Sequence, residues 1–377
     1  MKPLGLYLHI PFCRSKCLYC DFCSVPHAAE ETVAQYVEVL CRDMRRQAAQ
    51  CAPYEVDTVY FGGGTPTILS PEQLERLLGA VFNFYHVAPD AEITSECNPA
   101  TADRETLNRM RRAGFNRLSI GLQSAQEREL RALGRGHSFS DFCRTWEQAE
   151  AAGFSNLSAD VMFGIPHQTE DSLHRTLEQV CALRPKHVSA YALTVEPDTP
   201  FGRRGEAALC LPDEDAVRQM YLNLIADLKG AGIRQYEISN FALPGYESRH
   251  NLKYWNAEEY LGFGPAAHSD FGGARFGNAC DLARYLTGNL ETAERSVPSR
   301  NERMNEYVML RMRLCRGLQT SCLGERFGEE AVRHLSGALE RYLSGGFVQR
   351  TGEGYAFSPE GMLVSNSILS EILDFHA

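Results

Sequence analysis

Four cysteines crowd into one short segment near the beginning of the chain, at positions 13, 17, 20 and 23. Cys13, Cys17 and Cys20 have the spacing Cys-x3-Cys-x2-Cys, on a loop that also bears Pro11. Three thiolates so close in sequence can bind one cofactor, and on a [4Fe-4S] cubane they would leave one iron open to an exogenous ligand. Cys23 is available as a fourth ligand. A small zinc site or a chance grouping of cysteines is the alternative interpretation.

The other nine cysteines show no ligand spacing, and no second pair follows that would complete a structural zinc site. Nothing in the composition indicates export, so we interpret these nine as reduced, small and buried hydrophobic side chains. They are Cys41, Cys51, Cys97, Cys143, Cys181, Cys210, Cys280, Cys315 and Cys322.

The bulk composition is that of a globular protein, since 44% of the 377 residues are hydrophobic and 23% are charged. A net charge of −10 argues against nucleic acid as the main partner, because phosphate binding needs concentrated lysine and arginine. No apolar run approaches the roughly 20 residues that span a bilayer, and the N-terminal segment lacks the apolar core of a signal peptide. We therefore expect a cytoplasmic protein.

Six short runs of β-forming residues alternate with stretches of helical periodicity in the first part of the chain. The runs predict strands at 6–10, 57–61, 92–96, 117–121, 157–163 and 187–193. The stretches predict helices at about 30–50, 71–85, 103–113, 126–152, 170–183 and 213–231. Such repeats predict parallel strands with right-handed crossovers, arranged either as a barrel or as an open doubly wound sheet.

Each predicted strand ends in, or is followed by, an unusual segment. In chain order these segments are HIPFCRSKCLYC, GGGTPT, ECNP, GLQS, FGIP and TVEP. Ligands of both fold types collect at the carboxyl ends of the parallel strands. The six segments therefore predict one shared site around the cysteine loop.

The remainder of the chain differs in character from these repeats. Residues 232–290 are irregular and aromatic, whereas residues 301–315 and 323–343 have helical periodicity. The segment FVQRTGEGYAFS then predicts a hairpin that turns at Gly352-Glu353-Gly354. Helices followed by such a hairpin predict a small winged-helix-like domain.

The cysteine spacing, together with Tyr19 and the GGGTPT segment, resembles the signature of the radical S-adenosylmethionine (SAM) superfamily. A fuller set of motifs, from about Tyr7 to Ser269, resembles the heme-chaperone group of the oxygen-independent coproporphyrinogen III oxidase-like (HemN-like) family. The set includes LGRGHS, DVMFGIP, AYALTVEP, HNLKYW and GFGPAAHS. The resemblance implies an α/β fold, a partial (β/α)6 TIM-like barrel with a C-terminal, mostly helical, winged-helix-like domain. We expect the barrel at 1–235, its extension with a heme-handling segment at 236–294, and the C-terminal domain at 295–377.

By the same resemblance, Cys13, Cys17 and Cys20 ligate a [4Fe-4S] cluster whose fourth iron is chelated by SAM, and Cys23 lies outside the ligand set. Such a cluster cleaves SAM reductively to methionine and a 5′-deoxyadenosyl radical, which is chemistry of the cofactors rather than of the protein. The triglycine at 62–64 would let the backbone approach the ligand closely. The residues that match SAM-binding positions are Tyr7, Gly63 and Glu96, and those that match a second SAM are Tyr19, Gly64, Thr65, Gln123, Arg135, Asp160 and Thr194.

Three features favour the chaperone group over the oxidases of the family. Phe22 stands where the oxidases carry a further cysteine, and the oxidases have a longer segment before the cluster loop. His250, in HNLKYW, matches a motif implicated in heme handling, and His268 is a second candidate heme ligand. We predict a heme chaperone whose partners are heme, acceptor hemoproteins and an electron donor, with peripheral membrane association only through its recipients. The alternative is an oxygen-independent coproporphyrinogen III oxidase or a related tetrapyrrole-modifying radical SAM enzyme.

Overall fold

The computed structural model describes residues 1–99 and 101–373 of the chain. Its strands, in chain order, are β1 (Lys2–Ile10), β2 (Phe12–Cys13), β3 (Val25–Pro26), β4 (Tyr54–Gly63), β5 (Val87–Cys97), β6 (Arg117–Gln123), β7 (Asn156–Phe163), β8 (His187–Ala192), β9 (Arg234–Glu237), β10 (Asn240–Ala242), β11 (Tyr260–Phe263), β12 (His268–Phe271), β13 (Ala274–Gly277), β14 (Glu294–Ser296), β15 (Leu318–Gln319), β16 (Val348–Arg350) and β17 (Gly354–Phe357). Its α-helices are α1 (Glu30–Gln47), α2 (Pro71–Phe84), α3 (Arg104–Ala113), α4 (Glu127–Ala132), α5 (Phe139–Ala151), α6 (Glu170–Ala182), α7 (Pro200–Arg204), α8 (Glu214–Gly230), α9 (Arg249–Trp255), α10 (Leu282–Leu286), α11 (Arg300–Met312), α12 (Thr320–Phe327), α13 (Glu329–Glu340), α14 (Pro359–Leu363) and α15 (Ser365–Ile372). Short 3-10 helices lie at Ala48–Cys51, Pro66–Ile68 and Glu206–Ala208.

The main sheet is a partial barrel with parallel strands at its centre. Its strand order is β14-β13-β12-β11-β1-β4-β5-β6-β7-β8-β10-β9. The strands from β1 to β8 in this order are parallel and follow one another in chain order, which is the topology of a barrel rather than of a doubly wound sheet. The six predicted strands are confirmed, and so is the fold class that the resemblance implies.

The central strands are apolar because helices cover the outside of the barrel. Leu6 and Leu8 of β1 are completely buried, and so is Leu40 of α1. Helix α2 begins after Ser70, whose side chain caps the helix by accepting a hydrogen bond from the backbone N–H of Gln73. These helices therefore fix the strands whose carboxyl ends carry the unusual segments.

Residues 232–290, which the sequence predicts to be irregular, instead extend the sheet on both sides of the barrel. β11 pairs in parallel with β1, so that Tyr260 lies opposite Gly5 and Phe263 opposite Leu8. β12, β13 and β14 add antiparallel strands beyond β11, while β10 and β9 do so beyond β8. The prediction was wrong because these strands have only three or four residues, and β11 in addition finds its partner β1 far away in sequence. The three-part domain division stays a prediction.

Two stretches predicted as single helices are each divided in two. The stretch 126–152 consists of α4 and α5, because Gly134 has a φ of 72° and Ser138 starts a new helix with a capping box. The stretch 323–343 covers the end of α12 and all of α13, which are separated at Gly328 with a φ of 93°, and its last three residues lie beyond α13. A left-handed glycine ends the first helix of each pair, which apolar periodicity alone does not reveal.

The C-terminal helices and hairpin form a small winged unit that docks on one end of the main sheet. β16 and β17 make the predicted hairpin, and β15 is the third strand of this sheet. Leu314 forms a β-bridge with Glu237, and the backbone N–H of Cys315 donates to the carbonyl of Tyr236. None of the described helices combines the length and the apolar character needed to cross a bilayer.

The cysteines outside the three-cysteine motif are not all small buried hydrophobic residues, and that interpretation was wrong in part. Cys23 and Cys280 form a disulfide that joins the cysteine loop to the segment after β13. Cys210 is exposed, whereas Cys51 and Cys97 are buried as predicted. The disulfide spans 257 positions of sequence, so no local spacing signals it.

Candidate functional site

The loop that carries the three cysteines is closed at its base by backbone pairing. β2 and β3, near the two ends of the loop, pair in parallel, and Cys13 lies opposite Pro26. The backbone N–H of Val25 donates to the carbonyl of Pro11, and that of His27 donates to the carbonyl of Cys13. These bonds hold the loop at the carboxyl end of β1, where barrel proteins bind their ligands.

A cavity of about 390 Å³ opens at the carboxyl ends of the barrel strands. Tyr7, His250 and His268 do not line it. The other predicted site residues do: Cys13, Cys17, Tyr19, Cys20, Gly63, Gly64, Thr65, Glu96, Gln123, Arg135, Asp160 and Thr194. The predicted convergence of the strand ends on one site is therefore seen in the structure, whereas the roles of these residues stay predictions.

Each of the three thiols of the motif meets a hydrogen-bond donor. The hydroxyl of Thr65 donates to Cys13 Sγ at 3.7 Å, and Nη1 of Arg135 donates to Cys17 Sγ at 3.4 Å. Burial raises the pKa of Cys20, and a hydrogen bond from the backbone N–H of Phe22 opposes that rise. Such donors favour the thiolate, which is the form that binds metal.

The three motif cysteines are available to bind a metal cofactor. All three cysteines are free thiols that line the cavity. Within residues 1–99 and 101–373, no three His, Cys, Asp or Glu side chains are arranged to share one ion. A cubane needs no such arrangement, because each cysteine ligates the iron at a different corner. The cluster interpretation stays a prediction.

The triglycine makes room for the cysteine loop itself. A Cβ atom on Gly64 would lie 2.5 Å from the carbonyl oxygen of Phe12, and one on Gly63 would lie 2.5 Å from the ring of His9. The backbone N–H of Thr65 donates to the same Phe12 carbonyl at 2.7 Å. The close approach predicted for this segment is present, but the partner seen is the protein's own backbone and side chains.

Glu96 is fixed at the end of β5 by two donors. The hydroxyl of Tyr60 donates to its Oε1 at 3.0 Å, and the backbone N–H of Gly63 donates to its Oε2 at 3.2 Å. Burial, and to a smaller extent the nearby Asp160, raises the pKa of Glu96 to about 7. A cationic ligand group in the cavity would therefore favour the ionised carboxylate.

Asp160 and Gln123 lie on the neighbouring strands β7 and β6. The hydroxyl of Ser119 donates to Asp160 Oδ1 at 2.8 Å, and burial raises the pKa of Asp160. Gln123 has a φ of 72°, at a point where the register between β6 and β7 shifts. Left-handed residues other than glycine are uncommon and concentrate at ligand sites, and of the seven such residues in the described part of the chain Gln123 is the one that lines the cavity.

His250 lies beside the barrel interior rather than in the cavity, and it is only 1% exposed. Its Nδ1 forms a hydrogen bond of 2.8 Å with the hydroxyl of Thr58, and its Nε2 forms one of 2.9 Å with the hydroxyl of Tyr254. Its ring stacks 5.2 Å from that of Tyr60, and burial lowers its pKa to about 3. The heme contact predicted for His250 therefore requires a ring nitrogen to give up its present partner.

Tyr7 and His268 also lie outside the cavity. The ring of Tyr7 stacks 6.2 Å from that of Tyr60, and its hydroxyl bonds to Nδ1 of His9 at 3.1 Å. His268 is exposed on β12 with its ring over Gly277. Of the two histidines named as candidate heme ligands, His268 is the one that faces solvent.

Several further polar residues line the cavity that are not among the predicted site residues: Tyr60, Arg117, Ser119, Ser189 and Tyr191. Arg117 is 1% exposed, and its Nε has no hydrogen-bond partner among the described residues. A signal was present in the sequence, because Arg117, Ser119 and Gln123 occupy alternate positions before and within the GLQS segment. Polar side chains at every second position of a buried strand mark the face that lines a cavity.

Comparison with known proteins identifies relatives over the whole chain. A family model described as the radical SAM superfamily matches residues 7–180, and one described as the HemN C-terminal domain matches residues 299–364. The chain is 33% identical to the protein named heme chaperone HemW of Bacillus subtilis, with 97% of this chain and 98% of the relative covered. It is 35% identical to the protein of that name from Mycobacterium tuberculosis, with 99% and 95% covered. The solved structure of the coproporphyrinogen III oxidase HemN from Escherichia coli superposes with a TM-score of 0.87 at 23% identity, covering 99% of this chain and 91% of that one, which shows a shared fold.

Proposed function

This chain belongs to the HemW family of radical SAM proteins, and on that premise we propose that it binds heme and transfers it to acceptor hemoproteins. The observation that carries the proposal is the match to proteins named heme chaperones, which covers nearly the full length of both chains. The retained three-cysteine loop and its cavity support a second part of the proposal, that the protein keeps a [4Fe-4S] cluster and a SAM site.

The residues of the cavity suit those two cofactors. Cys13, Cys17 and Cys20 would hold the cluster, which supplies one-electron chemistry toward SAM when both are bound. Glu96, positioned by the hydroxyl of Tyr60, would accept a hydrogen bond from a hydroxyl or ammonium group of SAM. The remaining predicted SAM contacts, including those for a second molecule, belong to the same proposal.

Heme is proposed to bind outside the barrel cavity, at the segment that contains His250 or at the exposed His268. His250 can ligate iron only after Nδ1 parts from Thr58 or Nε2 parts from Tyr254. His268 already faces solvent. Substitution of each histidine by alanine, followed by hemin titration of the variant, assigns the ligand, and circular dichroism checks that each variant is folded.

The oxidase remains the competing function, and Phe22 bears on it. Phe22 is 66% exposed and lines the cavity at the position where oxidases of the family carry a cysteine. An aromatic ring there has neither the acid–base nor the redox chemistry of a thiol. We therefore propose that the chain does not decarboxylate coproporphyrinogen III.

One set of assays on anaerobically reconstituted protein separates the two functions. The protein is loaded with hemin and mixed with apomyoglobin, and transfer is followed by the change in the Soret band. In parallel, the protein with SAM and a reductant is incubated with coproporphyrinogen III. Heme transfer without protoporphyrinogen formation supports the chaperone. Protoporphyrinogen formation, or failure to bind hemin at all, would overturn it.

A further inference from the structure

The loop at residues 133–138, which separates α4 from α5, is packed directly against the cysteine loop. The backbone N–H of Leu18 donates to the carbonyl of Leu133 at 3.1 Å. A Cβ atom on Gly134 would lie 2.8 Å from Cγ of Leu18, so these two loops touch with no space for a side chain between them. The next residue, Arg135, therefore lies in the cavity beside the motif cysteines.

The guanidinium of Arg135 is held in one orientation by three contacts. Its Nη1 donates to Cys17 Sγ at 3.4 Å. Its Nη2 donates to Asn98 Oδ1 at 3.0 Å and to the carbonyl of Gly121 at 2.8 Å. Asn98 and Gly121 come from the ends of β5 and β6, so two strands of the barrel anchor the group that faces the sulfur. The cation is therefore fixed before any ligand enters.

We propose that Arg135 is a positioning residue that sets the reduction potential of the cluster through its hydrogen bond and positive charge at the Cys17 thiolate. The inference rests on the cluster of the proposed function. Reduction adds one negative charge to the cluster, and a fixed cation and donor at a ligand sulfur stabilise that added charge. Arg135 thus makes the cluster easier to reduce, a role separate from the second-SAM contact that the resemblance predicts for it.

The test is a redox titration of the reconstituted cluster, monitored by electron paramagnetic resonance, with no SAM added. Omitting SAM removes any effect of Arg135 through a bound ligand. Arg135→Gln should move the midpoint potential to a more negative value, and Arg135→Lys, which keeps the charge, should lie between this variant and the wild type. The matched control is Arg131→Gln, which removes the same charge from an exposed position on α4 and should leave the potential unchanged.

The outcomes separate this inference from the proposed function. If the wild type assembles no cluster, the proposed function fails. If it assembles one and the potential of Arg135→Gln equals that of the wild type, or if Arg131→Gln shifts it as much, the role of Arg135 is refuted. If neither Arg135 variant retains a cluster, wild-type protein whose arginines carry ¹⁵N in the guanidinium decides. A ¹⁵N coupling to the reduced cluster in pulsed electron paramagnetic resonance supports the contact, and its absence refutes the role of Arg135.

Discussion

Thr58 and His250 are joined by a buried hydrogen bond of 2.8 Å, although 192 positions of sequence separate them. The bond ties α9 to β4, and the backbone N–H groups of Arg249 and His250 add to this by donating to the carboxylate of Glu92 on β5. The motif that the resemblance connects with heme is thus built into the barrel. Any heme contact through His250 competes with this internal packing.

Release of His250 should increase its affinity for heme. In Tyr254→Phe, Nε2 of His250 loses its hydroxyl partner, while the phenyl ring keeps the packing. Loss of one such hydrogen bond changes a binding equilibrium by about 1 kcal/mol, so we expect hemin to bind about fivefold more tightly. Absorbance titration measures the affinity. Tyr246→Phe is the control, since the ring of Tyr246 makes a cation–π contact with Lys186 rather than a contact with His250. Equal affinity in Tyr254→Phe and wild type would contradict ligation by Nε2 of His250.

The buried Glu237 should make the protein less stable as pH rises. Burial raises its pKa from 4.5 to about 7, so the folded state holds a proton that the unfolded state has lost. The contribution is complete below pH 4.5, decreases between pH 4.5 and 7, and is absent above that range. Relative to the wild type, the free energy of unfolding of Glu237→Gln should therefore be about 2.5 kcal/mol more favourable at pH 8 than at pH 5.

Urea denaturation of the Glu237→Gln protein at pH 5 and pH 8 measures this difference. The control is Glu150→Gln, which changes an exposed glutamate on α5 and should leave the pH dependence as in the wild type. A Glu237→Gln protein whose stability changes with pH as much as that of the wild type would contradict the buried, protonated state.

Gly134 should be required for the contact between the two loops of the site. Gly134→Ala places a methyl group against Leu18 and puts a non-glycine residue at a φ of 72°, at a cost of about 1–2 kcal/mol. Gly136→Ala, two residues away, has nothing within 4 Å of the added Cβ atom and should change stability by less than about 0.5 kcal/mol. The melting temperature and the iron content after reconstitution are measured for both variants. Equal behaviour of both variants would show that the loops do not pack as described.

The disulfide between Cys23 and Cys280 should stabilise the protein by closing a long loop. Cys23→Ser should lower the free energy of unfolding by about 2–4 kcal/mol. Treatment of the apoprotein with dithiothreitol should lower the stability of the wild type to the same extent and have no effect on the variant. Cys210→Ser, which changes an exposed free thiol, is the control. Peptide mapping without reduction shows the linkage directly, and a free Cys280 in the purified wild type would refute it.

Much of the barrel could be predicted from the chain itself, for a local reason. Strands such as β6 and β7 are continuous buried runs, and helices such as α2 carry their own capping signals, so each element is encoded within about ten residues. The cysteine spacing and the position of the glycine and proline segments at strand ends are local as well. Those features predicted one shared site at the strand ends, whereas the resemblance to the family supplied the individual residues, twelve of which line the cavity.

Other properties depend on contacts between distant parts of the chain, and no local pattern contains them. The pairing of β11 with β1, the disulfide of Cys23 and the burial of His250 each join segments that lie more than a hundred positions apart. His250 illustrates the reason: its residue type permits heme ligation, but its availability depends on Thr58 and Tyr254, which occupy both ring nitrogens. Burial and hydrogen bonding belong to the folded surroundings of a side chain, and those surroundings exist only once the chain has closed on itself.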